Sequence, residues 1–251
     1  MLKIVFGDNA VGYARWRPDY PLKLFTIILK YHHGGYGTEV DLGAGTGASC
    51  IYWAKKFHSV VAVEPDSRML RQIPNTKNVR LVCSKAEEMT MNQSSTDLVT
   101  CGNSFYWMNG QKVMRNAFDW LRAGGTFAAF RYGFPKAING SLDECLSALL
   151  VNQWDKYRST RLRDENYTQR LVLNSPLWAS VTVQCVPNVV EMTASQLTGF
   201  LCSTSYVLRY LAGKGISKTQ YSRELFNELG RFGDRFKIDF GVELVLAKKD
   251  L

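Results

Sequence analysis

The chain has 251 residues, of which 46% are apolar and 21% are charged, and this composition suits a globular domain with one large hydrophobic core. It excludes a disordered or fibrous protein. No apolar run approaches the roughly 20 residues that cross a bilayer, and residues 1–12 lack the length and cleavage pattern of a signal peptide. We therefore expect a soluble, cytoplasmic protein with no membrane partner.

The cysteines and the charge distribution argue against disulfide-linked, metal-binding and nucleic-acid-binding proteins. Six cysteines occur without any C-x-x-C pair, so the sequence predicts neither a disulfide framework nor a metal site. The formal net charge is +9, with fifteen basic and ten acidic side chains in residues 1–130 and sixteen and twelve in residues 131–251. Because neither half is a basic tail, the charge argues against a nucleic-acid partner.

The predicted elements alternate between strands and helices, which indicates an α/β fold with a parallel sheet. The predicted helices are 22–31, 48–57, 66–73 and 111–121, and a turn at Gly124 and Gly125 follows the last of them. The predicted strands are 39–42, 60–64, 79–83, 97–101, 126–130, 181–186 and 236–247. Apolar residues alternate at period two in the last strand, which is typical of an antiparallel strand with one exposed face.

A glycine-rich turn joins the first predicted strand to the next helix. Gly43, Gly45 and Gly47 alternate there, and glycine lets a backbone turn sharply and lie against a ligand. Asp41 precedes the turn, where a phosphate cradle would not favour a carboxylate. Glu64 ends the second predicted strand, where an acid can accept hydrogen bonds from two ribose hydroxyls. Together these features indicate a nucleoside with a cationic tail.

A dinucleotide is the alternative ligand for this turn. Gly43, Gly45 and Ala48 satisfy the G-x-G-x-x-G/A spacing, which is weakly specific by itself. Asp41 beside the would-be pyrophosphate and the alternating last strand both favour the cationic nucleoside. A tight turn without a ligand is the third interpretation.

These motifs resemble the class I S-adenosylmethionine-dependent methyltransferases, through residues 41–47, the Glu64 and Pro65 pair, and the alternating last strand. Other segments are similar to the small-molecule methyltransferases grouped with trans-aconitate methyltransferase, which carry the methyltransferase type 11 domain. Those segments are residues 13–21, 63–69, 86–87, 104–107 and 203–206. The resemblance implies a Rossmann-like, mostly parallel seven-stranded sheet with an antiparallel last strand and helices on both faces. It also implies S-adenosyl-L-methionine as the cofactor.

The resemblance implies roles for the glycine turn and its acids. Asp41, Gly43 and Gly45 would hold the amino-acid part of the cofactor. Glu64 would hold its ribose.

The same resemblance extends the cofactor site beyond that turn. Ala86 and Glu87, after the third strand, would meet the adenine, and Asn103, after the fourth, would line the methionine portion. Tyr13 and Arg17 would close over the site from the N-terminal segment. An arginine suits a carboxylate because of its forked donors.

We predict one methyltransferase domain over residues 1–251. Residues 1–35 would form an N-terminal lid and helix, and residues 36–131 the cofactor-binding core. Two insertions, 132–179 and 193–229, interrupt the strand pattern and would form the roof of the acceptor site.

The chemistry of methyl transfer points to Tyr106 and Trp107 as the catalytic residues. In-line transfer mainly requires alignment and exclusion of water, and aromatic faces attract a positive sulfonium. The subgroup usually carries histidine where Tyr106 stands, and none of the three histidines lies in a segment expected to face the acceptor. Tyrosine, with an ordinary pKa of about 10, is a poor base at neutral pH. We therefore expect an acceptor that is already deprotonated.

The sequence thus predicts an enzyme that O-methylates a small carboxylic acid held by one or more of Arg17, Arg131 and Arg209. Two alternatives stay open: an NAD(P)-binding oxidoreductase and a catalytically silent S-adenosylmethionine-binding protein. RNA methylation is disfavoured because no N-P-P-Y-type motif follows the fourth strand. The sequence does not specify the acceptor or the oligomeric state.

Overall fold

The computed structural model describes residues 6–250. The strands of this part of the chain are β1 (Thr38–Leu42), β2 (Ser59–Val63), β3 (Val79–Val82), β4 (Thr96–Gly102), β5 (Leu121–Tyr132), β6 (Lys136–Ala137), β7 (Ser180–Val186), β8 (Val189–Thr193), β9 (Arg235–Asp239) and β10 (Val242–Lys248). Its α-helices are α1 (Ala10–Trp16), α2 (Leu22–Tyr31), α3 (Cys50–Trp53), α4 (Ser67–Leu70), α5 (Gly110–Trp120), α6 (Gly140–Leu149), α7 (Thr160–Arg163), α8 (Tyr167–Leu173), α9 (Ala194–Leu201), α10 (Ser205–Lys214) and α11 (Lys218–Gly230). None of these helices is both long enough and apolar enough to cross a membrane.

The described chain separates into two compact units. The sheet unit consists of residues 19–132, 164–186 and 242–250. The helical unit consists of residues 6–18, 133–163 and 187–241. The predicted single domain with a lid, a core and two inserted roof segments stays a prediction.

The sheet unit contains the predicted seven-stranded sheet, in the order β3-β2-β1-β4-β5-β10-β7. Neighbouring strands from β3 to β5 are parallel, and β10 runs antiparallel to both β5 and β7. The mostly parallel sheet with an antiparallel last strand is thereby confirmed. Because the carboxyl ends of parallel strands meet at one edge, the segments after β1, β2 and β4 share that edge.

Both faces of this sheet are covered by apolar packing. Successive side chains of a strand point to opposite faces, so Val40 and Leu42 join one core cluster with side chains of α5. The other cluster includes side chains of α2, α3 and β2. Glu39 and Asp41 pair with Val60 and Ala62 of β2, so these two acids face the second cluster. Two carboxyl groups and the hydroxyl of Thr100, which pairs with Asp41, therefore lie on a mostly apolar face.

Two helices near the glycine turn are shorter than predicted. The predicted helix 48–57 is reduced to α3, because the amides of Lys55 and Lys56 bond three residues back and tighten its end. The predicted helix 66–73 is reduced to α4, which ends in the same way before Pro74. Proline has no N–H with which to continue a helix.

The predicted Gly124 and Gly125 turn is wrong, because both residues lie inside β5. Gly124 has a φ of +73°, and the register between β4 and β5 shifts between Thr96 and Leu98. The glycines therefore permit an irregularity within one long strand, as in a β-bulge. They do not form a separate turn between α5 and β5.

The predicted last strand, 236–247, is two strands in two different sheets. β9 pairs with β6 and β8 in a three-stranded sheet of the helical unit, whereas β10 belongs to the seven-stranded sheet. Asp239 Oδ1 accepts the Gly241 amide at 2.8 Å and the Asn188 amide at 3.2 Å. The turn around the Asp239 carboxylate separates β9 from β10, although apolar residues alternate without a break through both strands in the sequence.

Candidate functional site

The glycine turn follows β1 at the carboxyl edge of the sheet. Gly43, Gly45 and Gly47 have φ values of +72°, +57° and +97°, which favour glycine. The Gly43 amide donates to Val63 O at 2.7 Å. A Cβ on Gly43 would lie 2.4 Å from Ser104 Cβ, so a side chain there is excluded sterically as well. The three predicted glycines therefore do form a constrained turn.

Glu64 lies directly beside this turn. Its Oε2 atom accepts the Gly45 amide at 3.2 Å, and its Oε1 atom accepts the Asp66 amide at 3.1 Å. Burial raises the pKa of Glu64, and the two amide hydrogen bonds oppose that rise. Glu64 is thus placed where the sequence predicts it, and it also holds the turn in position.

Asp41 lies beneath the turn and is 1% exposed. Thr100 Oγ1, on β4, lies 3.1 Å from Asp41 Oδ1 and 2.7 Å from Glu39 Oε1. Burial raises the pKa of Asp41 to about 7, against the effect of the Thr100 hydrogen bond. Burial raises the pKa of Glu39 well above its ordinary value, and repulsion from Asp41 adds to this effect. Asp41 is therefore buried below the turn, and its predicted contact with the amino-acid part of the cofactor stays a prediction.

Asn103 follows β4 and adopts a left-handed backbone with a φ of +51°, which asparagine tolerates better than most residues. Its Nδ2 atom donates to Tyr20 Oη at 2.8 Å, and its Oδ1 atom accepts the Tyr132 amide at 3.1 Å. The predicted contact of Asn103 with the methionine portion stays a prediction. In the structure its side chain joins two segments at the carboxyl edge.

Ala86 and Glu87 have structural partners of their own. Ala86 is buried in the core cluster that includes α5. Glu87 Oε1 accepts the amide of Asn109, the N-cap of α5, at 2.6 Å. Glu87 therefore fixes the start of that helix, a role that the sequence pattern does not reveal, and the adenine contact stays a prediction.

The aromatic segment after β4 forms a short 3₁₀ turn, Phe105–Trp107. Phe105 is buried, whereas Tyr106 is partly exposed and Trp107 is 37% exposed. The ring centroids of Tyr106 and Trp107 lie 5.4 Å apart, and the Arg131 guanidinium lies 5.6 Å from the Tyr106 ring centroid. The structure thus brings together two predicted catalytic aromatics and one predicted acceptor arginine.

The predicted lid residues Tyr13 and Arg17 belong to the helical unit and contact each other. The Arg17 guanidinium lies 4.5 Å from the Tyr13 ring centroid and 5.1 Å from that of Phe200. It also donates to Ser203 O at 3.4 Å. Their closure over the cofactor stays a prediction.

The residues around the turn fit a cationic nucleoside better than a pyrophosphate. Asp41 Oδ2 is buried without a hydrogen-bond partner among residues 6–250, and Glu64 presents a second carboxylate. No lysine or arginine occurs in residues 40–54. Since α3 has only four residues, it offers little of the helix dipole that a pyrophosphate would use.

Comparison with known proteins supports this interpretation. Residues 40–129 match the family model described as a methyltransferase domain. A relative named as a probable S-adenosylmethionine-dependent methyltransferase, CRG1 of Saccharomyces cerevisiae, is 27% identical over 172 residues, which are 65% of this chain and 58% of the relative.

Two solved structures share the fold. A protein provisionally named as a type II methyltransferase from Anaeromyxobacter dehalogenans has a TM-score of 0.72 at 19% identity, covering 92% of this chain and 97% of that one. Phosphoethanolamine N-methyltransferase 2 of Haemonchus contortus, solved with phosphomonomethylethanolamine and S-adenosylhomocysteine, has a TM-score of 0.56 at 14% identity, covering 100% of this chain and 61% of that one.

The chain spans about half the length of the curated relatives it matches, at 52% and 58% for the first two. None of the proteins named above is a trans-aconitate methyltransferase by name, so that finer resemblance stays a prediction. The matched domain, the relatives, the sheet order and the constrained glycine turn agree with one another. Residues 40–129 are therefore a methyltransferase domain, and the relatives and the glycine turn indicate S-adenosyl-L-methionine as its cofactor.

Proposed function

We propose that this protein transfers a methyl group from S-adenosylmethionine to a small molecule, and that the acceptor atom is an oxygen of a carboxylic acid. The observation that carries the methyl-transfer proposal is the glycine turn, held by Val63 O and Glu64 above a buried Asp41. Asp41, Gly43, Gly45 and Glu64 would hold the cofactor. When bound, the cofactor supplies an activated methyl group on a positive sulfur.

The positions of the histidines support an acceptor that needs no base. His32 is buried, and its Nε2 atom lies 2.9 Å from Gly35 O and its Nδ1 atom 3.1 Å from Thr126 Oγ1. Burial lowers its pKa. His33 and His58 precede β1 and β2, so all three histidines lie toward the amino ends of the strands, away from the glycine turn. An imidazole base is therefore not available at the carboxyl edge of the sheet unit.

Arg131 and Tyr106 supply the features that a carboxylate acceptor would require in the same unit. Arg131 is 7% exposed near the carboxyl end of β5, so its charge acts in a partly desolvated setting. Glu243 pairs with Arg131 across β5 and β10 and balances part of this charge. The Arg131 charge lowers the Glu243 pKa, while burial raises it more strongly. Tyr106 would orient the acceptor oxygen, and Tyr106 and Trp107 would exclude water.

Arg17 and Arg209 are the other predicted acceptor arginines, and both belong to the helical unit. Arg209 donates to Tyr157 O at 3.2 Å. We favour Arg131 because it lies beside Tyr106 in the unit that carries the glycine turn.

The deciding experiment incubates the protein with methyl-labelled S-adenosylmethionine and a metabolite extract, followed by mass spectrometry. A labelled methyl ester of a small acid is the expected product. A labelled amine, phenol or RNA would overturn the acid assignment. Cofactor binding without any labelled product would indicate the catalytically silent alternative, and binding of NAD in its place would indicate the oxidoreductase.

A further inference from the structure

Glu39, Thr100 and Asp41 form a buried group that the transfer reaction does not require. Both acids come from β1, the hydroxyl comes from β4, and all three residues are at most 1% exposed. Among residues 6–250, neither acid forms an ion pair with a lysine, arginine or histidine. Two carboxyl groups are thus buried without a compensating cation, which is costly unless at least one is neutral.

The number of hydrogen atoms available to the two acids also indicates that one of them is protonated. Thr100 Oγ1 contacts Asp41 Oδ1 at 3.1 Å and Glu39 Oε1 at 2.7 Å, but a hydroxyl carries one hydrogen. Two ionised carboxylates would both need that hydrogen, and one contact would be repulsive. A proton on either acid satisfies this count, and we assign it to Glu39 because Glu39 lies two residues farther than Asp41 from the glycine turn, where a cation would bind. Glu39 then donates to Thr100, and Thr100 donates to Asp41. Both contacts are then hydrogen bonds.

We propose that Thr100 and protonated Glu39 are positioning residues that place the single negative charge of this group on Asp41, and that binding of the cationic cofactor releases a proton from Asp41 to solvent. This inference rests on the proposed function. Because burial raises the pKa of Asp41 to about 7, Asp41 exchanges between its neutral and ionised forms in the free protein, while the bound ammonium selects the ionised form. The O–H bond of the Asp41 carboxyl breaks, and the solvent buffer takes the proton.

The other titratable groups around Asp41 do not account for a proton released when the cationic cofactor binds. Glu64 adds a negative charge from the end of β2 and disfavours ionisation of Asp41. The thiols of Cys50 on α3 and Cys101 on β4 have their pKa values raised by burial and by the two acids, so they stay neutral. The side chains that pack on this face from α2 are apolar apart from the Tyr31 hydroxyl, which lies 3.0 Å from Ser180 Oγ.

The test measures binding of S-adenosylhomocysteine by calorimetry from pH 6 to 8.5, in two buffers that differ in ionisation enthalpy. If the Asp41 pKa is about 7 and only the ionised form binds, wild-type affinity rises about 10-fold from pH 6 to pH 8. Binding then releases about half a proton at pH 7. These readouts do not depend on catalytic activity.

Two isosteric substitutions on one strand separate the roles of the acids. Asp41→Asn should weaken binding and abolish its pH dependence. Glu39→Gln should bind with an affinity within about 2-fold of wild type and should still release a proton on binding. Thr100→Val should weaken binding about 5-fold at pH 7, with recovery at pH 8.5, if loss of the hydroxyl raises the Asp41 pKa by about one unit. Thr100→Ser retains the hydroxyl and should behave as wild type.

The outcomes distinguish this inference from the proposed function. Failure of the folded wild type to bind the ligand at any pH would overturn the proposed function and this inference with it. Binding that is independent of pH, or a Glu39→Gln protein that loses its proton release, would overturn this inference and leave the cofactor assignment intact. Circular dichroism of each variant establishes that it is folded before binding is measured.

Discussion

The Glu64 carboxylate accepts the Gly45 amide at 3.2 Å, which ties the end of β2 to the glycine turn after β1. The other oxygen of Glu64 accepts the Asp66 amide, so one side chain fixes two backbone segments at the carboxyl edge of the sheet. Because the carboxylate serves both the turn and the proposed ribose contact, its removal should affect binding in two ways.

Replacement of Glu64 by alanine is expected to weaken cofactor binding at least 10-fold. A hydrogen bond to a charged group contributes roughly 1.5–3 kcal/mol, and the Gly45 amide loses its acceptor in addition. Calorimetry with S-adenosylmethionine measures this loss. Glu88→Ala is the matched control, because Glu88 is an exposed acid paired with Lys85. Unchanged affinity of the Glu64→Ala protein would remove Glu64 from the site.

A side chain at Gly43 is expected to destabilise the fold and abolish binding. Gly43→Ala places a Cβ 2.4 Å from Ser104 Cβ and imposes a φ of +72° on alanine, at a cost of about 1–3 kcal/mol. Urea unfolding measures the free energy change. Gly230→Ala, where a Cβ meets nothing within 4 Å, is the control. The double variant Gly43→Ala/Ser104→Gly should recover part of the stability, and no recovery would mean that backbone strain or the remaining contact with Met108 Cε, at 2.9 Å, is responsible.

Asp41→Asn is expected to stabilise the protein at pH 8 while it weakens cofactor binding. The pKa of Asp41 is raised to about 7 from an ordinary 3.8, so the folded state holds more protons than the unfolded state between these values. Stability should therefore fall as pH rises from about 4 to 7, by at most about 4 kcal/mol at 1.36 kcal/mol per pKa unit. The amide removes this loss. Thermal melting of wild type and Asp41→Asn at pH 5 and pH 8 measures the difference in stability. An equal increase in the melting temperature at both pH values would contradict a buried charge at Asp41.

The turnover number at saturating cofactor is expected to stay flat from about pH 6 to 9. A carboxylic acid with a pKa of about 4 is ionised throughout this range and needs no base. Tyr106→Phe should then cost little, while Arg131→Lys should raise the acceptor KM more than it lowers kcat. Arg115→Ala, at an exposed position of α5, serves as the control. A rate that rises tenfold per pH unit would show that the acceptor must lose a proton.

The backbone of residues 13–21 is expected to exchange its amide hydrogens more slowly once the cofactor is bound. Closure of a lid protects amides that open freely in the empty protein. Hydrogen exchange with and without S-adenosylhomocysteine measures this, and the central turns of α11 provide an internal reference. Equal exchange in both states would mean that Tyr13 and Arg17 pack within the helical unit and do not act as a lid.

The sequence by itself determined the strand–glycine–helix motif, the two acids beside it and the parallel sheet. These features are local: apolar periodicity reports which face a segment buries, and glycine reports where φ is positive. The same local patterns could not reveal that β9 and β10 enter different sheets. That break depends on contacts of Asp239 with Asn188, which lies 51 residues earlier.

Only the tertiary structure placed Thr100 between Glu39 and Asp41, across 61 and 59 residues of chain. The tertiary structure also places the Glu87 carboxylate against the amide of Asn109, 22 residues away, where it holds the start of α5. Hydrogen bonds between distant segments leave no periodic signal, because any polar residue at a strand end satisfies the local pattern equally well. Burial and the shared hydroxyl, which together set the ionisation of Asp41, arise when β1 and β4 pair in the sheet.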